Sequence, residues 1–60
     1  MKQFLHILIV EDDTVLAAQL ERFLTDAGHI IDVVSTGRDA IRRVADTEYD
    51  VVILDLSLPD

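Results

Sequence analysis

The sequence predicts an α/β fold in which three parallel strands alternate with two helices in the order βαβαβ. Two observations predict it. Residues 4–10, 29–34 and 50–56 are short runs, apolar on both faces, as in strands that are covered on both sides of a sheet. Residues 13–28 and 35–49, between those runs, carry apolar side chains at helical spacing. We therefore expect a doubly wound parallel sheet with right-handed crossovers.

The first strand, "FLHILIV", is interrupted only by His6 and stops abruptly at the acidic residues 11–13. Asp13 can cap the helix that follows, because its carboxylate can accept from the free N–H groups of the first turn. Gly28 is placed where a left-handed residue would close that helix. The predicted inner stripe of the first helix, at offsets of four, seven, eight and eleven, comprises Leu16, Leu20, Phe23, Leu24 and Ala27.

The second helix follows the β-branched strand "HIIDVV". Ser35 or Thr36 can cap it, and Asp39 lies in its first turn, where the helix dipole favours negative charge. Its predicted inner face comprises Ala40, Ile41, Val44 and Ala45. The third strand, "DVVILDL", contains Asp55 near its end, and its apolar edge needs a cover. We expect either that the 60 residues are the front part of a larger domain or that another copy or partner covers this edge.

Composition excludes several classes of function. Twelve Asp and Glu residues against five Lys and Arg residues argue against nucleic-acid binding by this chain, because phosphate contacts need a basic surface. The chain contains no cysteine, so it can form neither a disulfide nor a thiolate metal site. No run approaches the roughly 18 apolar residues of a membrane span. We expect a soluble, cytoplasmic protein with neither a membrane nor a nucleic acid as partner.

Carboxylates at two strand ends are the candidate site. Ligands of open parallel sheets bind outside the carboxyl ends of the strands, where the strand order reverses. If the first and third strands are neighbours there, Asp12 and Asp55 face each other across about 4.8 Å. A hard divalent cation such as Mg²⁺ would relieve their repulsion. Beside that ion, Asp55 could attack phosphorus as a nucleophile and form an acyl phosphate.

Three stretches of the sequence, "HILIVEDD", "AGHIIDVVSTGRDAI" and "EYDVVILDLSLPD", together resemble the first half of a response-regulator receiver domain of bacterial two-component phosphorelays. The resemblance covers the whole chain, and the order and spacing of the motifs match throughout. It implies a flavodoxin-like sheet with strand order 2-1-3. It also implies that residues 1–60 are the N-terminal half of such a domain, ending after the third strand.

The resemblance also implies roles for individual residues. Asp55 matches the phospho-acceptor, and Pro59 matches the proline four residues beyond it. Asp12 and Asp55 would bind Mg²⁺ directly, Glu11 would help through a water, and the backbone carbonyl of Ser57 would complete the site. A sensor histidine kinase would be the phosphodonor. Many family members continue into a DNA-binding domain and regulate transcription, but the hydroxyl residue, lysine and aromatic residue of the family's switch would lie beyond residue 60.

Two alternatives stay open at this point. A phosphohydrolase with an aspartyl-phosphate intermediate also has a nucleophilic Asp after an apolar strand, but it typically needs Asp-x-Asp, and here the second position is Ser57. A non-catalytic fragment could instead self-associate through the open third strand. No glycine-rich nucleotide-binding motif is present. The simplest interpretation of the remaining polar residues is a tolerated His6, a turn at His29, and a solvated helix face for Arg38, Arg42 and Arg43.

Overall fold

The computed structural model describes residues 3–55, which form the predicted βαβαβ arrangement. All three strands are parallel, and the central position of the first strand gives the order β2-β1-β3, which confirms the predicted topology. Each element is slightly shorter than its sequence pattern suggested. The elements are β1 (His6–Val10), α1 (Thr14–Asp26), β2 (Ile30–Val34), α2 (Gly37–Asp46) and β3 (Val51–Leu54).

The central strand β1 is the core of the molecule. It pairs with β2 along one edge and with β3 along the other, so that Val10 lies between Val34 and Leu54. Residues 7–10 are buried, with at most 3% of their surface exposed. Successive side chains of a strand point to opposite faces, and a helix lies on each side. The continuous apolar run of β1 is therefore explained by burial on both faces.

Both helices begin at the predicted caps. Asp13 Oδ1 accepts hydrogen bonds from the amides of Val15 and Leu16, at 3.0 and 3.1 Å. Of the two candidates for the second helix, Thr36 is the cap, because its Oγ1 accepts from the Asp39 amide at 3.1 Å. These bonds use amide groups that have no partner inside the helix. The first turn of each helix is therefore fixed by a side chain adjacent to the carboxyl end of a strand.

A left-handed glycine ends α1, as the sequence predicts. Gly28 has a φ of 98°, its amide donates to Thr25 at 2.9 Å, and the His29 amide donates to Leu24 at 3.2 Å. This pair of bonds is the Schellman arrangement, whose left-handed residue is most often glycine because other side chains are strained there. The imidazole Nδ1 of His29 then accepts from the Leu5 amide at 3.0 Å. His29 thus holds the chain before β1, in addition to lying in the turn.

The predicted inner stripe of α1 is wrong at Phe23, whose surface is 72% exposed, at Leu16, which is 41% exposed, and at Ala27, which is also exposed. Ala17 is the buried residue of this helix, and Leu20 and Leu24 are half-buried. Consecutive helical residues are separated by about 100° around the axis, so Phe23 points well away from the face that Leu24 shares with Ala17. The face of α1 that packs on the sheet is therefore formed by Ala17, Leu20 and Leu24.

The inner face predicted for α2 is also largely wrong. Ala40 packs against the buried cluster of Leu8, Val10 and Val34, but Ile41 is 70% exposed and Val44 50% exposed. The physical reason is that α2 lies over β1 and β2 and leaves β3 uncovered. An open apolar groove of about 320 Å³ results, lined by Val10, Gly37, Ala40, Ile41, Val44, Val52 and Leu54.

Candidate metal and phospho-acceptor site

Backbone hydrogen bonds bring Glu11 and Asp55 to the same rim of the sheet. The Glu11 amide donates to the carbonyl of Val34 in β2, at 3.0 Å. The Asp55 amide donates to the carbonyl of Val10 in β1, also at 3.0 Å. Each bond continues the ladder of a parallel strand pair by one residue beyond its end. The two acids are therefore positioned by the sheet itself, at the carboxyl ends of β1 and β3.

Three carboxylates meet at this rim, and we call Glu11, Asp12 and Asp55 the acidic cluster. One oxygen from each lies within 4.8 Å of the others. Glu11 is buried with 7% exposure, Asp55 is half-buried and Asp12 is exposed. The predicted fourth ligand, the carbonyl of Ser57, lies outside the described residues, as does Pro59. The acidic cluster thus consists of two carboxylates that the sheet positions, Glu11 and Asp55, and one exposed carboxylate, Asp12.

Repulsion within the acidic cluster changes the ionisation of Glu11. The Asp13 amide donates to Glu11 Oε2 at 3.1 Å, which by itself lowers the pKa of Glu11. The neighbouring Asp55 carboxyl, burial and the Asp12 carboxyl act in the opposite direction. Their combined effect raises the pKa of Glu11 above its ordinary value of 4.5. Three acids this close repel one another when all are ionised, and a bound cation would reduce that repulsion.

The donor set of the acidic cluster suits Mg²⁺. This ion prefers carboxylate oxygens at about 2.1 Å, so two oxygens on opposite sides of one ion lie about 4.2 Å apart. At least two of the three oxygen pairs around one octahedral ion are adjacent and lie about 3.0 Å apart, so oxygens within 4.8 Å of one another need to close by up to about 2 Å to share it. Asp12 is exposed and can make that adjustment by rotating its side chain. The three carboxylates fit a single small divalent cation.

Comparison with known proteins agrees with this arrangement. The family model of the response regulator receiver domain matches residues 7–60. The chain belongs to this family. The resemblance to receiver domains predicted from the sequence is therefore confirmed, as is the flavodoxin-like order of the strands.

The chain is similar to a part of several longer regulatory proteins. The transcriptional regulatory protein TcrA of Mycobacterium tuberculosis is 47% identical over 53 residues, which are 88% of this chain and 21% of TcrA. The probable transcriptional regulatory protein SilR of Salmonella typhimurium is 44% identical over 54 residues, 90% of this chain and 24% of SilR. The two-component response regulator PhoP of Pseudomonas aeruginosa is 36% identical over 53 residues, 88% of this chain and 24% of PhoP.

The chain spans about a fifth to a quarter of the length of these relatives. No solved structure gave a significant match. Among residues 3–55, neither helix of the receiver domain is long and apolar enough to cross a membrane.

A second polar cluster was not predicted from the sequence. Asp32 Oδ2 accepts from the Tyr49 hydroxyl at 2.7 Å and lies 3.0 Å from His6 Nε2. Arg43 approaches the same oxygen at 3.9 Å. The signal in the sequence was the lone acid of the apolar strand "IIDVV", but its partners lie 17 and 26 residues away along the chain. His6, which was interpreted as merely tolerated, is part of this cluster.

Proposed function

We propose that this receiver domain accepts a phosphoryl group on Asp55 and that the acidic cluster holds the Mg²⁺ required for the transfer. The observation that carries the proposal is the meeting of Asp55 with Glu11 and Asp12 at one rim of the sheet, within 4.8 Å. The backbone bond to Val10 supports it, because it holds the acceptor at a defined place beside the other two acids.

The transfer requires one bond to form and one to break. A carboxylate oxygen of Asp55 attacks phosphorus, and the phosphorus–nitrogen bond of a phosphohistidine donor breaks, with its electron pair left on the imidazole. The product is an acyl phosphate on Asp55. When bound, Mg²⁺ supplies positive charge beside the phosphoryl oxygens. Asp12, Asp55 and the backbone carbonyl of Ser57 would hold the ion, with Glu11 helping through a water, while the other carboxylate oxygen of Asp55 reacts.

The proposed donor is a sensor histidine kinase, and the proposed location is the cytoplasm. The names of the relatives support a two-component pathway, since they include a two-component response regulator and a probable histidine kinase. Residues 1–60 would supply the acceptor half of the domain, and transcription regulation is the output that TcrA and SilR suggest. We propose a signalling role without substrate turnover, because an Asp-x-Asp enzyme would need an acid where Ser57 stands.

Phosphorylation by a small donor tests this function. We expect the full-length protein to gain one phosphoryl group, located on Asp55 by mass spectrometry, when it is incubated with Mg²⁺ and acetyl phosphate. Asp55→Asn should gain none, because the amide is not a nucleophile of this kind. Asp46→Asn, which changes an exposed acid at the end of α2, is the matched control and should be labelled normally. Equal labelling of Asp55→Asn and wild type would refute the assignment, and rapid turnover of a phosphomonoester would instead indicate a phosphohydrolase.

A further inference from the structure

The carboxylate of Asp32 is a point where four parts of the fold meet. Asp32 lies in β2, and its partners come from β1 (His6), from α2 (Arg43) and from the α2–β3 connection of residues 47–50 (Tyr49). Tyr49 donates its hydroxyl proton to the carboxylate at 2.7 Å. A carboxylate can only accept, so His6 Nε2 must carry a proton to bond at 3.0 Å. The Arg43 contact, at 3.9 Å and half-exposed, adds little.

These contacts hold the chain just before β3. The Tyr49 ring packs against the buried residues Leu8, Val10 and Val34, and its centre lies 4.6 Å from that of the His6 ring. The next residue, Asp50, donates its amide to the His6 carbonyl at 2.8 Å and accepts from the His6 amide at 2.9 Å. The start of β3 is thus held to β2 by the Tyr49–Asp32 bond and to β1 by the two bonds between Asp50 and His6.

We propose that the Asp32 carboxylate is a pH-dependent latch that fastens Tyr49, and with it the start of β3, to the α2 face of the sheet. Within residues 3–55, β3 pairs with β1 alone, so its register depends on few contacts. A slip of one residue would reverse the direction of every side chain in the strand. By fixing the start of β3, the latch also fixes where Asp55 arrives at the rim.

The ionisation of both partners follows from this geometry. The hydrogen bond from Tyr49, together with His6 and Arg43 and against the effect of burial, lowers the pKa of Asp32 below 3.8. Burial and the bond to Asp32 raise the pKa of Tyr49 above 10.0. The contribution of Asp32 to stability is present above its unfolded pKa of about 4 and is lost as the pH falls through the lowered folded value. The contribution of Tyr49 is lost as the pH rises through its raised folded value. The latch is therefore closed at neutral pH and opens in acid and in strong alkali.

A double-mutant cycle at pH 7 tests the bond at the centre of the latch. Tyr49→Phe removes only the hydroxyl and Asp32→Ala removes the acceptor, and we expect each to lower the folding equilibrium constant about 5- to 10-fold. The folding equilibrium constant of the double variant should fall by much less than the product of the two single fold-changes, because both substitutions remove the same bond. Glu48→Gln, an exposed acid in the same connection, should change little. Independent, multiplicative effects of the two substitutions would overturn the proposal.

An NMR titration tests the pH dependence. We expect the Tyr49 ring-carbon resonances and the Asp32 carboxyl resonance to move with one shared midpoint below 3.8 in the wild-type protein. The Tyr49 transition should be absent in Asp32→Asn. Titration of Asp32 without a response at Tyr49 would overturn the latch. If the protein unfolds before Asp32 titrates, the cycle at pH 7 decides by itself.

Discussion

Glu11 is the residue of the acidic cluster that the fold holds most firmly. It is buried, its amide bonds to Val34, and its carboxylate accepts from the Asp13 amide. Asp55 is half-buried and tied to β1 through its amide, whereas Asp12 is exposed. With two positioned carboxylates and one adaptable carboxylate, the acidic cluster could accept a cation without rearrangement of the sheet.

At the residue scale, the repulsion among the three carboxylates of the acidic cluster predicts that Asp12→Asn has opposite effects on stability and on metal binding. Removing one negative charge should slightly stabilise the protein without metal, because repulsion with Glu11 and Asp55 is relieved. The same change should weaken Mg²⁺ binding by removing a ligand. Urea unfolding in the presence of a chelator and a Mg²⁺ titration measure the two effects. Glu48→Gln, distant from the acidic cluster, is the control for loss of charge, and an Asp12→Asn variant with unchanged Mg²⁺ affinity would contradict the assignment.

At the scale of the elements, the three acids that follow β1 belong to two different structures, the acidic cluster and the first turn of α1. Glu11 and Asp12 belong to the acidic cluster, whereas both described bonds of the Asp13 carboxylate go to the first turn of α1. The start of α1 and the acidic cluster are therefore adjacent but use different side chains. This division explains why three consecutive acids can follow a buried strand.

This separation of roles predicts that Asp13→Ala destabilises α1 but leaves Mg²⁺ affinity nearly unchanged. Loss of the cap should cost about 1 kcal/mol of folding free energy, within a range of roughly 0.5 to 2. Asp13→Asn is the matched control and should keep most of that stability, since asparagine caps about as well as aspartate. Mg²⁺ affinity should fall by less than about threefold in both variants. A large loss of affinity in Asp13→Asn, measured by the same titration, would mean that Asp13 ligates the ion.

The sequence predicted the order, type and caps of the elements because those depend on local patterns. The apolar run of residues 7–10, the cap at Asp13 and the glycine at position 28 each act within one turn or strand. The inner faces of the helices were predicted less well. Periodicity identifies an apolar stripe, but the exposure of Ile41 depends on how far α2 extends over the sheet, which is a property of the packing.

At the scale of the whole molecule, one of the two polar clusters could be predicted from the sequence and the other could not. The acidic cluster could be predicted because parallel strands place their carboxyl ends at one rim, so topology alone brings Glu11 and Asp12 towards Asp55. The Asp32–Tyr49 contact could not, because it depends on how far one side chain in the α2–β3 connection reaches across the sheet. A site at the carboxyl ends of parallel strands can therefore be predicted from the order of the elements, whereas a site formed by side-chain packing cannot.

The most direct measurement for the central claim is a Mg²⁺ titration of the wild-type protein followed by backbone amide NMR. The account predicts saturable shifts at Glu11, Asp12 and Asp55, all with one dissociation constant, while amides near Asp32 stay unchanged. Asp55→Asn should weaken that binding at all three positions together. Shifts at Glu11 and Asp12 that saturate independently of Asp55, or no saturable shift at any of the three, would contradict a shared ion and the phospho-acceptor function that depends on it.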